Sequence, residues 1–166
     1  MTMEAICSRR SIRVFQPEAV PPETVHELLR AGFHAPSAHH LRPWHFIAVN
    51  DRSVLSGMIA IHSNMSMLKT APLAIVVCGD SAKSPDFWPD DCAAASENII
   101  VAAQSMGLGS FWCAVYPRIE RMESFKSLLG LPDEIKPYSV LALGKPAEEK
   151  RQMDRFNQAR VHYNIW

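Results

Sequence analysis

Three arginines surround a serine near the start of the chain: Arg9, Arg10 and Arg13 flank Ser11 in "SRRSIRVF". A guanidinium pairs with phosphate through two parallel hydrogen bonds, and a serine hydroxyl adds another donor. Arg9 and Arg13 are four residues apart, so in extended chain they point to one side and Arg10 to the other. A second basic set, Lys145, Lys150, Arg151 and Arg155, comes late in the chain. The two sets could converge on one anionic ligand. The plainer alternative is a solvated basic turn.

The stretch "HAPSAHHLRPWHF" carries His34, His39, His40 and His45 with Arg42 among them. A zinc site needs ligands that converge, as in HxxxH on one helix face. These histidines straddle two prolines and a strand start, so their side chains should diverge. The next acidic residue is Asp51. A metal site is therefore not expected. The chain lacks HExxH and GxSxG, the usual marks of zinc and serine hydrolases. Gly107 and Gly109 in "MGLGSFWCAVY" follow a helix instead of opening one, which disfavours a Rossmann dinucleotide site. Cys7, Cys78, Cys92 and Cys113 form no CxxC pair and read as small apolar residues in a reducing compartment.

The elements that must position these residues alternate between the two kinds. A first helix starts at a Thr2 cap and runs to about Arg9, and "SIRVF" is extended. Pro22 opens a helix to about Ala35, stopped by Pro36. "WHFIAVN" is a strand, and Asp51 or Ser53 caps a helix to about His62. "PLAIVVCGD" is short and apolar throughout, as a central strand buried on both faces would be. "PDDCAAASENIIVAAQSMG" is a long helix with apolar residues on nearly every side. "SFWCAVY" is a strand, "IERMESFKSLLG" a helix ended by Gly130, and "YSVLALG" the last strand. The tail "KPAEEKRQMDRFNQARVHYNIW" is too polar to form core. It ends in Val161, Tyr163, Ile165 and Trp166, which need a surface, and a partner subunit could supply it.

At 166 residues the chain suits one domain, spanning 1–166. Its 48% hydrophobic content is that of a globular protein, and its 17 basic and 17 acidic residues cancel. A nucleic-acid partner would call for a basic excess. No apolar run reaches membrane-spanning length and no signal segment opens the chain, so a cytoplasmic location is expected.

Five motifs, "RRSIRVF", "APSAHHLRPWHFIAV", "LKTAPLAIVVCGD", "AAQSMGLGSFWCAVYP" and "LALGKPAEE…DRFNQARVHYNIW", occur in the order and spacing of the nitroreductase family. The sequence resembles its short members over nearly the whole chain. The resemblance implies an α+β fold with a mostly antiparallel central sheet flanked by helices. It also implies a homodimer holding FMN at the interface, with a domain-exchanged tail, about 147–166, wrapping the partner. Family members pass electrons from NADH or NADPH to a small planar acceptor, such as a nitroaromatic or quinone, by ping-pong exchange.

By position, the resemblance gives Arg9, Arg10 and Ser11 contacts to the FMN phosphate and ribityl chain, and Arg13 a place near the pyrimidine. Pro36, Ser37 and Ala38 match the loop against the isoalloxazine. Asn64 matches an amide at the pyrimidine edge. Trp112, Cys113 and Ala114 match the strand near N5. Gly144, Lys145 and Arg155 fall at the phosphate end. No catalytic side chain is implied, because the flavin carries the hydride chemistry. Two positions depart from the family's "PSxxNxQPW": His40 replaces the asparagine and Arg42 the glutamine. His40 could still donate to the flavin. Arg42 adds bulk and charge where substrate or nicotinamide passes. These departures motivate a second reading, a flavin-binding redox sensor or carrier without turnover.

Overall fold

The computed structural model describes residues 2–166; the side chain of Thr2, expected as a helix cap, lies outside what is described. Among the described residues four strands form one antiparallel sheet in the order β1-β2-β4-β3. They are β1 (Trp44–Val49), β2 (Leu73–Asp80), β3 (Gly109–Ala114) and β4 (Ile135–Gly144). Among the described residues five α-helices accompany them: α1 (Thr2–Ser8), α2 (Pro22–Phe33), α3 (Arg52–Ile61), α4 (Trp88–Ser105) and α5 (Ile119–Leu129). The fold is α+β with an antiparallel sheet, as expected.

Alternation along β2 and β4 divides the core into two. Ala74, Val76, Cys78, Val140 and Ala142 face α3, α5 and the 3-10 stretch Ser63–Lys69, against Leu55, Met58, Met65, Leu68 and Phe125. Leu73, Ile75, Val77, Leu141 and Leu143 face α2 and α4, against Leu28, Cys92, Ala95, Ile99 and Ala103. Every residue of β2 except Asp80 is buried, which is why its sequence shows no polar alternation.

Local signals explain most element ends. Pro22 occupies the first position of α2, where a missing N–H costs nothing. Gly32 lets α2 close on the sheet, since a Cβ there would lie 2.8 Å from the Phe46 ring. The Asp51 carboxylate caps α3, accepting from Ser53 N–H at 2.8 Å and Val54 N–H at 3.0 Å. Gly130 ends α5 at φ 65°. β4 begins three residues before the expected Tyr138. Pro137, inside the added residues, sits where the β2–β4 register shifts, and a bulge tolerates proline.

The long helix α4 is not covered on all sides. It buries Cys92, Ala95, Ser96, Ile99, Ile100 and Ala103, while Ala93, Ala94, Val101 and Ala102 are only partly covered and Glu97 is exposed. Its small residues leave an open apolar groove of about 840 Å³, lined by Ala5, Ile6, Ala31, His34, Val101 and Ala102 among others.

Candidate functional site

The basic set and the start of β3 are built as one unit. After α1 the chain runs alongside β3, with Ser11 bridged in parallel to Ser110 and Ile12 N–H donating to Ser110 O at 2.9 Å. Gly109 permits this approach, because a Cβ there would meet the Ile12 side chain at 2.8 Å. The chain then meets the end of β4: Gln16 N–H donates to Lys145 O at 2.8 Å, and Ala147 N–H to Val14 O at 2.9 Å. Gly144 is buried under Pro72, and a Cβ there would lie 2.6 Å from the proline ring, so a side chain would force the two apart. Arg9, Arg10, Ser11, Gly144 and Lys145 thus share one corner.

Charges at this corner are only partly balanced. Lys145 faces Glu18 at 3.5 Å. The Arg10 guanidinium donates to the Arg151 carbonyl, which draws the start of the tail across the corner. Among the described residues neither Arg9 nor Arg10 has a carboxylate partner. The Arg13 guanidinium lies over the Phe111 ring, 4.7 Å from its centroid. Arg13 N–H donates to Glu148 at 2.6 Å. Lys150 first and this N–H second hold the Glu148 carboxyl below the usual carboxylate range.

β3 is an edge strand, and its open edge can be read by parity. Ser110 O points outward, to Ile12, so Ser110, Trp112 and Ala114 turn their backbone groups away from β4. Ala114 O accepts from Arg121 at 2.5 Å. The Trp112 and Ala114 N–H groups therefore face the open edge. Cys113 turns its backbone toward β4 and its thiol into the core, where burial raises the thiol's pKa.

The loop Pro36–Arg42 is held elsewhere. Ala38 N–H donates to the buried Asp91 carboxylate at 2.8 Å, and Asp91 also accepts from the Ser84 hydroxyl at 3.4 Å. Arg42 N–H donates to Ser37 Oγ at 3.0 Å, and His40 N–H to Ser37 O at 3.1 Å. His39, His40 and Arg42 all have positive φ, at 50°, 58° and 50°. The side chains of His40 and Arg42 contact each other.

Helix α4 measures how far the loop lies from the basic corner. Asp91 holds Ala38 near its start, and Gln104, thirteen residues on, donates to Ser8 Oγ at 3.2 Å near its end. At 1.5 Å per residue the two anchors are about 20 Å apart. The loop also leads into β1, whereas the basic corner lies on β3, the opposite edge of the sheet. Among the described residues no hydrogen bond joins the two groups.

Two expected site residues stand apart. Asn64 is exposed in the 3-10 stretch that packs beside β3. Arg155 is exposed in the tail, near Cys7 and Ile6 of α1. The tail itself stays open, with Phe156 73% exposed and Trp166 98%. No three His, Cys, Asp or Glu side chains converge as a metal-ligand set among the described residues. No described helix is long and apolar enough to cross a membrane.

Sequence reasoning missed three supporting residues. Asp91 was one of two acids opening a helix, with no sign that it would be buried under the loop. Phe111 lies in a strand whose expected contacts are Trp112, Cys113 and Ala114. Glu148 lay in a tail read for its positive charges.

A family model described as Nitroreductase family matches residues 6–61 and 59–145. A relative from Methanothermobacter thermautotrophicus, named "Putative NADH dehydrogenase/NAD(P)H nitroreductase", is 45% identical over 166 residues, covering 99% of this chain and 87% of the relative. A crystal structure of a protein of the same name from Parabacteroides distasonis superposes with a TM-score of 0.97 at 43% identity, over 99% of this chain and 98% of that one. An FMN-dependent nitroreductase from Clostridium difficile superposes with a TM-score of 0.93 at 30% identity, over 99% of both chains.

Proposed function

Since the chain belongs to the nitroreductase family, we propose that it is an FMN-dependent oxidoreductase. It takes electrons from NADH or NADPH and gives them, by ping-pong exchange at one flavin face, to a small planar acceptor such as a nitroaromatic or quinone. The observation that carries this reading is the basic corner. Arg9 and Arg10 stand there without carboxylate partners among the described residues, beside Ser11 and a strand edge with open amides.

The donor set fits FMN. A phosphomonoester carries close to two negative charges, and two guanidinium forks with a hydroxyl match its oxygens. Bound FMN would supply the hydride acceptor, its N5, and return the electrons to the second substrate. The chain's residues bind and orient. Arg9, Arg10, Ser11 and Lys145 hold the phosphate, with Arg155 arriving from the tail. Arg13, steadied on Phe111, places a fixed cation beside the pyrimidine and favours negative charge there. The outward N–H groups at Trp112 and Ala114 offer donors to the ring edge, and Asn64 an amide to the pyrimidine. Cys113 serves through its place in β3, with its thiol in the core.

One chain holds Pro36, Ser37, Ala38 and His40 about 20 Å along α4 from the phosphate corner, so the loop that lies on a given flavin comes from a second copy. The same dimer covers the groove between α1, α2 and α4 and receives the exposed tail. Four free cysteines suit a reducing compartment, and a cytoplasmic location belongs to the proposal.

Titration of the purified protein with FMN, followed by mixing with NADH and NADPH and then with nitroaromatic and quinone acceptors, tests the reading. Flavin uptake, bleaching by a nicotinamide and recovery on adding acceptor are expected. Flavin that binds but is bleached by neither nicotinamide would make the chain a carrier or sensor instead.

A further inference from the structure

Three of the four residues His39 to Arg42 have positive φ, and none is glycine. A left-handed conformation is costly for a residue with a Cβ. Such strain persists only where the surroundings over-determine it, and it gathers at functional sites. Here the surroundings are specific. Ser37 accepts from His40 N–H and Arg42 N–H, Asp91 fixes Ala38, and Lys83 Nζ donates to Arg42 O at 3.4 Å. The result is to bring the exposed side chains of His40 and Arg42 together.

The charge at this point is not neutralised within the described residues. Arg42 has no carboxylate within ion-pair distance among them. The acids on the neighbouring segments have other partners or form no ion pair with Arg42. Asp91 is buried on Ala38 and Ser84. Asp80 accepts from Ala82 N–H and Lys83 N–H at 2.9 Å each. Asp86 and Asp90 form no ion pair with Arg42. Lys83 adds a second cation. In a chain of zero net charge this is a local positive point on a loop pinned by the Ser37 and Asp91 hydrogen bonds.

We propose that Arg42, positioned by His40, recognises an anionic group on the electron acceptor. The preferred acceptors are then planar aromatic or quinoid molecules bearing a carboxylate or sulfonate. This rests on the reading above, in which the loop borders the flavin. It goes further by giving the acceptor a charge and assigning a residue to read it. A guanidinium matches a carboxylate bidentately, and an exposed pair of this kind is worth a few-fold in rate, not orders of magnitude.

The test isolates the acceptor step. FMN-loaded protein is reduced anaerobically with dithionite, so no nicotinamide takes part. It is then mixed with para-nitrobenzoate or with neutral para-nitrobenzamide, and the ratio of the two reoxidation rate constants is measured. The wild type should favour the anion. Arg42→Gln should lower the ratio about two- to fivefold, whereas Arg42→Lys, which keeps the charge, should retain most of it. Raising the salt concentration should narrow the wild-type ratio more than that of Arg42→Gln, which keeps only the Lys83 charge beside the loop. A ratio equal in wild type and Arg42→Gln overturns the inference while leaving the flavin reading intact. Failure to take up FMN at all overturns both, and it is seen before any acceptor is added.

Discussion

Replacing Arg10 by alanine isolates the phosphate-binding claim from the fold. The backbone at this position is set by the Ser11–Ser110 bridge and the Ile12 N–H to Ser110 O bond, neither of which involves the Arg10 side chain. Its one hydrogen-bond partner among the described residues is the carbonyl of Arg151, an exposed residue that water can satisfy. The thermal midpoint of the flavin-free protein should therefore shift little, as for surface changes of within about 0.5 kcal/mol. Flavin affinity should fall much more. A hydrogen bond to a charged group contributes about 1.5–3 kcal/mol, and at about 1.4 kcal/mol per factor of ten the FMN Kd should rise roughly 10- to 150-fold. Arg10→Lys should fall between, since it keeps a point charge but loses the planar fork. Titrating flavin-free protein with FMN and following the quenching of flavin fluorescence gives all three values. An alanine variant whose FMN Kd stays within about twofold of wild type, at unchanged thermal midpoint, would refute the assignment of the basic corner to phosphate.

Arg13→Gln should lower the reduction potential of bound FMN, because a fixed cation beside the pyrimidine favours the reduced, more negative flavin; equilibration with a reference dye measures it, and an unchanged potential would count against that placement. Deleting Val161 to Trp166 should weaken the dimer and flavin retention together, measured by sedimentation and by bound absorbance; a stable FMN-bound dimer would contradict the tail's role. Thiol titration of the native protein should find Cys78, Cys92 and Cys113 unreactive. Burial pushes Cys78 up to about 12 and raises the other two as well, so the thiolate is scarce near neutral pH. Rapid labelling of all four cysteines without denaturant would show that the core opens more readily than the packing implies.

How much of this was legible in the sequence depends on what each signal required. Helix ends marked by Pro22, Asp51 and Gly130 needed only local backbone chemistry, and they fall where expected. The start of β4 did not, because the bulge that accommodates Pro137 is a property of the β2 pairing. The open side of α4 was hidden by its composition: alanine is equally at home in a core, on a surface and at an interface, so Ala93, Ala94 and Ala102 gave no direction. At the candidate site, the clustered arginines pointed to an anion by residue type, with a solvated basic turn as the alternative. The burial of Asp91 beneath the loop and the left-handed run at His39, His40 and Arg42 are tertiary facts. No spacing of residues encodes them, although His40 and Arg42 already stood out as departures from the family pattern.

The central claim is that this chain holds FMN and passes electrons through it. The most direct measurement is anaerobic rapid mixing of the FMN-loaded protein with NADH and with NADPH, followed by a nitroaromatic or quinone. The account predicts that at least one nicotinamide bleaches the flavin absorbance and that the acceptor restores it, over repeated cycles with one flavin per chain. Protein that binds no flavin, or bound flavin that stays oxidised with both nicotinamides, would contradict it.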